Sequence, residues 1–276
     1  MQMRQLGTLW PVSALTLGGG GLGQVWGETT REEAIATVRL AVERGITLLD
    51  LAPLYGRGEA EAVVGDAFEG KWPDGIRVTT KCMVGSRHIS GIATRLETSL
   101  TRSLATLKRE QVDIFILHSN IHPDDYEYEN DVTYHTYGAV PWSVFVGELV
   151  PAFEALKAKG LIGAWGITGT GLPRSIMEAL RGDPKPAVVQ AITNLLDSAG
   201  GMRRYEEPAE PRNIIRTALN NDVGVMGIRA VQAGALTARL DRPLKEDDAE
   251  ALDFIKAAPF RALANELSED VAELAH

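Results

Sequence analysis

Short apolar runs recur along this chain, each followed by a segment of helical periodicity, and that alternation limits the fold more than any other feature. The runs are Ser13 to Leu17, Ile46 to Leu49, Ile76 to Thr80, Val112 to Leu117, Ile162 to Thr168, Ala187 to Thr193 and Val223 to Ile228. They are almost continuously apolar, as expected of strands with both faces buried in a parallel sheet. Between them lie amphipathic helices. Thr30 and Glu33 have capping-box spacing, and Ile35, Val38, Ala41 and Val42 then share one face up to Gly45. Ile92, Leu96, Leu100, Leu104 and Leu107 form a second stripe, and Val146, Leu149, Phe153 and Leu156 a third before Gly160. "RSIMEAL" and "RNIIRTALNN" supply two more helices.

Seven such strands suit an open doubly wound sheet or a (β/α)8 TIM barrel, and the unit count in 276 residues favours the α/β barrel. "MQMRQLGTLWPVS" reads as a hairpin covering the barrel floor, and "ALANELSEDVAELAH" as a last helix with no strand after it. The eighth strand and the C-terminal tail of a barrel are therefore expected to be missing from this chain. No biased linker divides it, so residues 1–276 read as a single domain.

The net charge of -9, with no basic cluster interleaved with aromatics, argues against nucleic acid as a partner. No apolar stretch is long enough to span a bilayer. One cysteine, Cys82, allows no internal disulfide, and no apolar run follows the first basic residue as in a signal peptide. A cytoplasmic protein is expected; oligomeric state is not legible.

Reactive side chains of parallel barrels stand where strands end. Asp50 follows "ITLL", Lys81 follows "IRVTT", His118 follows "VDIFIL", and Tyr55 lies in the loop after Asp50. Each alone has an ordinary explanation: a turn cap, a solvated strand-end lysine, a rim histidine, a packed aromatic. Their placement on successive strand ends points to chemistry. A free phenol, with a pKa of about 10, shares its proton poorly at neutral pH. An adjacent ammonium favours the phenolate, a carboxylate fixes that ammonium, and a histidine orients a substrate oxygen. The set suits proton donation to a carbonyl while a hydride arrives at carbon. The long loop from Ser119 to Ser143, with Tyr126, Tyr128, Tyr134, Tyr137 and Trp142, is irregular in pattern and reads as a substrate wall, with Trp142 beside Tyr55 and His118.

Through "LLDLAPLYGRGEAEAVVGDAF", "TTKCM", "QVDIFILHSN" and "GAWGITGT", the sequence resembles the aldo-keto reductase superfamily. The resemblance implies an eight-stranded barrel that binds NADP(H), in preference to NAD(H), and reduces an aldehyde or ketone or oxidises the alcohol. By motif, Asp50, Tyr55, Lys81 and His118 match the catalytic tetrad, with Tyr55 as general acid, Lys81 lowering its pKa, Asp50 holding Lys81 and His118 orienting the carbonyl. Thr168, Gly169 and Gln190 match the positions that hold the nicotinamide amide, where family members have an Asn in place of Gly169. Ile228 replaces a stacking Tyr, and Arg229 follows it toward a phosphate charge. Gly234, Ala235 and Leu236 match the pyrophosphate loop. Gly20, Gly21 and Leu22, together with Asp50, complete the expected cofactor contacts.

Three other readings stay open. "GGGGLG" satisfies the dinucleotide pattern GxGxxG, although the helix expected within that turn is signalled only at Thr30. Asp50, His118 and His122 offer ligands for a metal-dependent hydrolase. A non-catalytic nicotinamide-nucleotide-binding barrel, acting as a redox sensor or partner subunit, fits the substituted Asn and the short C-terminus.

Overall fold

The computed structural model describes residues 1–25, 27–85, 90–128 and 137–276. An antiparallel hairpin, β1 (Met3–Gln5) with β2 (Pro11–Ser13), opens the chain. The main sheet consists of β3 (Leu17–Gly18), β4 (Leu48–Asp50), β5 (Arg77–Cys82), β6 (Val112–Leu117), β9 (Ile162–Gly169), β10 (Val188–Ile192) and β11 (Gly224–Ile228). Its order is β11-β10-β9-β6-β5-β4-β3, all pairs parallel, and among the described residues no pairing joins β11 to β3, so the curled sheet is that of a (β/α)8 barrel lacking a strand, as expected. A small parallel pair, β7 (Asn120–His122) with β8 (Ala139–Pro141), follows β6.

Period-two alternation sorts each strand into an inner and an outer face. Leu48, Ile114, Ile116, Val188 and Met226 fill the barrel interior with Leu6 and Val12 of the hairpin, while Leu49, Val78, Phe115, Leu117 and Val189 face the helices. The hairpin thus plugs the floor, as its sequence suggests. Continuing the inner parity one step toward each carboxyl end leads from Leu48 to Asp50, Ile116 to His118, Val188 to Gln190 and Met226 to Ile228.

The helices follow their stripes. Thr30 and Glu33 form both capping-box bonds, and the helix runs Arg31–Glu43 with Ala34 and Val38 buried. Ile92, Leu96, Leu100, Leu104 and Leu107 are all buried along Ile92–Leu107.

Local departures from the expected elements have physical causes. Ser13 belongs to the hairpin, and only Leu17–Gly18 joins the sheet, because the chain must turn from floor to barrel between them. Leu149, Phe153 and Leu156 are buried as expected, but Val146 is exposed: a π-helical turn, Phe145–Leu149, adds a residue and buries Phe145 in its place. A one-turn helix, Gly19–Leu22, opens directly after β3, earlier than the Thr30 signal. The last helix-period segment breaks into Ala258–Leu267 and Val271–Ala275, where Ser268 turns left-handed and Asp270 caps the second piece. The Ser119 to Ser143 loop contains β7 and β8, so it is not wholly irregular; its Tyr134 lies outside the described residues. No described helix is long and apolar enough to cross a membrane.

Candidate active site

At the carboxyl ends of the strands a cleft of about 810 Å³ is lined by Thr16, Gly18, Gly20, Asp50, Tyr55 and His118 on one side. Asn120, Thr168, Thr170, Gln190, Ile228 and Arg229 line the other. A second hollow of the same volume lies on the outer helices among Glu32, Arg39, Asp66 and Lys108 and contains no strand-end residue.

Lys81 is completely buried, and its three N–H donors are all used. Its Nζ lies 2.8 Å from Asp50 Oδ1, 2.8 Å from the Leu51 carbonyl and 3.2 Å from the Tyr55 hydroxyl. The same ammonium sits 4.7 Å from the centre of the Tyr55 ring. Asp50 Oδ1 also accepts from Thr79 Oγ1 on the neighbouring strand and, at 2.8 Å, from Gln190 Nε2 across the barrel. The Tyr55 ring meets His118 edge-on, centroids 6.0 Å apart. All four tetrad candidates therefore meet at one mouth.

Glycine supports Tyr55. Tyr55–Gly58 turns left-handed at Gly56 and Arg57, and a Cβ on Gly56 would lie 2.4 Å from the Gly23 carbonyl oxygen. A Cβ on Gly23 would in turn meet the Tyr55 carbonyl carbon at 2.5 Å. The glycine run after β3 is thus a packing surface for the tyrosine loop. The helix after that loop is anchored by buried Glu61, which accepts from Thr80 Oγ1 on the outer face of β5.

Electrostatics refine the roles. Burial raises the Tyr55 pKa above the ordinary phenol value; Lys81 pulls it down and Asp50 pushes it up, and the balance stays raised. Lys81's contribution has the expected sign, but the net lowering of the Tyr55 pKa does not occur, because desolvation outweighs it. Desolvation also opposes charge on Lys81, yet Asp50 and Tyr55 more than compensate and hold its pKa above the ordinary value. His118, enclosed at the rim beside the Lys81 charge, is pushed down to about 3 by burial and by that charge, so it is a neutral imidazole at physiological pH.

The expected cofactor residues divide. Gly20, Asp50, Thr168, Gln190, Ile228 and Arg229 line the cleft. Gly21 does not, and Leu22 packs its side chain into the core. Gly169 is off the lining, since a Cβ there would press on the Gln190 carbonyl at 2.9 Å. Of the loop after β11, Ala233 reaches the cleft, whereas Gly234, Ala235 and Leu236 do not, the last two being buried. Arg229 is paired with Glu250 at 2.8 Å. Trp142 packs on Phe145, centroids 5.6 Å apart, and stands off the cleft. His122 sits in β7 with Nδ1 2.8 Å from the Pro123 carbonyl, while Asp50 is bonded to an ammonium. Among the described residues no three His, Cys, Asp or Glu side chains form a metal-ligand group.

Asn120 and Thr170 end two of the quoted motifs without being given a role there, yet both line the cleft. Parity is the signal that finds them: Asn120 stands two residues past His118, and Thr170 two past Thr168.

The model of the Aldo/keto reductase family matches residues 14–276. The chain belongs to this family. It is 31% identical to the L-galactose dehydrogenase of Arabidopsis thaliana over 196 residues, covering 70% of this chain and 55% of that protein. It is 30% identical to the uncharacterized oxidoreductase YqkF of Bacillus subtilis over 176 residues, covering 61% of this chain and 49% of that protein. The matches span about half the length of these relatives. Among solved aldo-keto reductase structures, the glycerol dehydrogenase AKR11B4 of Gluconobacter oxydans superposes with a TM-score of 0.69 at 23% identity, over 99% of this chain and 81% of that one. An aldo/keto reductase of Klebsiella pneumoniae in complex with NADP and acetate gives a TM-score of 0.66 at 22% identity, over 99% and 78%. The structural likenesses support the (β/α) barrel fold described above.

Proposed function

We propose that this chain reduces an aldehyde or ketone to the alcohol, or runs the reverse reaction, with a nicotinamide nucleotide as hydride carrier. The observation behind this reading is the buried Lys81 ammonium, shared by Asp50 at 2.8 Å and the Tyr55 hydroxyl at 3.2 Å. A fully buried ammonium is costly unless each donor is met. Here the arrangement aims one of those donors at a phenol on an open cleft.

When bound, a reduced nicotinamide supplies the hydride for the carbonyl carbon. Tyr55 gives the carbonyl oxygen its proton, and the developing phenolate is stabilised by Lys81, which Asp50 holds in position. Neutral His118 hydrogen-bonds the substrate oxygen without competing as an acid. The cleft is within the usual volume for a small-molecule site, and its Gln190 amide and Asn120 amide suit a carboxamide. Arg204 and Arg242 on the lining suit a phosphorylated ligand despite the net charge of -9. The NADP complex of the Klebsiella pneumoniae relative supports NADP(H) in preference to NAD(H) for this chain.

Cofactor oxidation measured against a panel of aldehydes and ketones tests the reading. Turnover of at least one carbonyl is expected; binding of the nucleotide with no turnover on any would favour the non-catalytic barrel instead.

A further inference from the structure

We propose that Asn120 is a positioning residue for the cofactor, its Nδ2 donating to the carboxamide oxygen of the nicotinamide while Gln190 Oε1 accepts from the carboxamide NH2. The proposal rests on the cofactor reading above. Asn120 is only 2% exposed, and its Oδ1 accepts from Thr170 Oγ1 at 3.1 Å. Its Nδ2 is buried without a hydrogen-bond partner among the described residues, and it belongs to a residue that lines the cleft. An unmet buried donor is unfavourable, so a ligand acceptor there is rewarded.

The side chain is also held in place. A Cβ on Gly171 would lie 2.9 Å from Asn120 Cγ, so the glycine lets the next strand's loop close against the amide. Neighbouring donors are already engaged. Gln190 gives Nε2 to Asp50 at 2.8 Å, leaving Oε1 to accept, and the Thr168 hydroxyl faces the Leu117 and Ser119 carbonyls at 3.2 Å each. Gly169 has no side chain to offer. A primary carboxamide presents an acceptor oxygen and an NH2 donor group, and Asn120 from β7 with Gln190 from β10 supplies a partner for each. The substrate carbonyl already has Tyr55 and His118.

Dissociation constants for NADP+, its thionicotinamide analogue and its 3-acetylpyridine analogue, measured by quenching of tryptophan fluorescence on wild type, Asn120→Ala and Asn120→Asp, test this. Wild type should bind the thionicotinamide analogue about three- to tenfold more weakly than NADP+, since sulfur is the poorer acceptor. Asn120→Ala should bind NADP+ weaker by a similar factor and lose that discrimination, yet still distinguish the acetylpyridine analogue, which lacks only the NH2 read by Gln190. Asn120→Asp, of the same shape with no donor, should bind NADP+ no better than Asn120→Ala; its thermal melt shows whether the barrel is intact. Unchanged oxygen-over-sulfur discrimination in Asn120→Ala would overturn the proposal, as would unchanged cofactor binding with an altered substrate KM. Failure of the wild type to bind any of the three nucleotides would instead overturn the cofactor reading, and this proposal with it.

Discussion

The Lys81 ammonium lies 3.2 Å from the Tyr55 hydroxyl, yet Tyr55 keeps its proton more tightly than a free phenol. Burial raises the phenol more than the ammonium lowers it. A raised pKa keeps the acid loaded through the neutral range and reserves Lys81's attraction for the moment when negative charge develops.

That balance predicts the pH dependence of reduction. kcat/KM for a carbonyl should stay flat across neutral pH and fall only on the alkaline side, above the ordinary phenol value of about 10, as Tyr55 loses its proton. A descending limb centred near neutrality would mean that a different acid is at work. Steady-state rates across the pH range check this.

The pair Asp50–Lys81 should be asymmetric in stability. Lys81 is completely buried, whereas the Asp50 side chain is 13% exposed and retains donors from Thr79 and Gln190 if Lys81 is removed. Asp50→Leu leaves an ammonium with only neutral oxygens and should cost about 3–5 kcal/mol. Lys81→Met should cost less while still abolishing most activity. Urea unfolding of the two variants tests the order.

His118 predicts a loss of stability in acid. Its folded pKa of about 3 lies below the ordinary histidine value, so between the two the unfolded chain binds the extra proton. Its contribution is fully present above the unfolded value of about 6.5 and declines as pH falls from there toward the folded value, by at most about 1.4 kcal/mol per pH unit. His118→Asn should flatten the stability profile in this window relative to wild type. Chemical denaturation at several pH values measures it.

Glycines at the tyrosine loop should be intolerant where a surface glycine is not. Gly23→Ala forces a Cβ to within 2.5 Å of the Tyr55 carbonyl carbon, which displaces the acid. A fall in kcat/KM of about 100-fold is expected, from the sensitivity of positioned groups to small shifts. Gly147 is exposed in a helical segment, and a methyl group there would meet nothing within 4 Å. Gly147→Ala should leave activity unchanged and bring a small gain in stability.

Much of this was legible in the residues. Continuous apolar strands pointed to the barrel type, and the polar strand ends Asp50, Lys81 and His118 fall on the inner parity set by Leu48, Thr79 and Ile116. The π-helical turn that exposes Val146 was not legible, since an added residue shifts the helix phase without marking the sequence. Nor was the net direction of the Tyr55 shift, which depends on burial rather than on the charged neighbours that motifs reveal. Gly21, Leu22, Gly169 and the Gly234 to Leu236 loop illustrate the same limit: a motif gives the segment, while backbone direction decides which residue reaches the cleft. Asn120 escaped notice because an asparagine after a strand-end histidine reads as loop until its partner Thr170 and its unmet nitrogen are seen.

The most direct test of Tyr55 as the acid is single-turnover reduction of the best carbonyl substrate by Tyr55→Phe beside wild type. The ring, its contact with His118 and the Lys81–Asp50 pair all remain, and what is lost is the hydroxyl, with its proton and its acceptance from Lys81. A rate lower by about 100- to 10,000-fold is expected, the range of a positioned general acid, with cofactor binding retained. Hydride transfer as fast as in wild type would rule Tyr55 out as the proton donor.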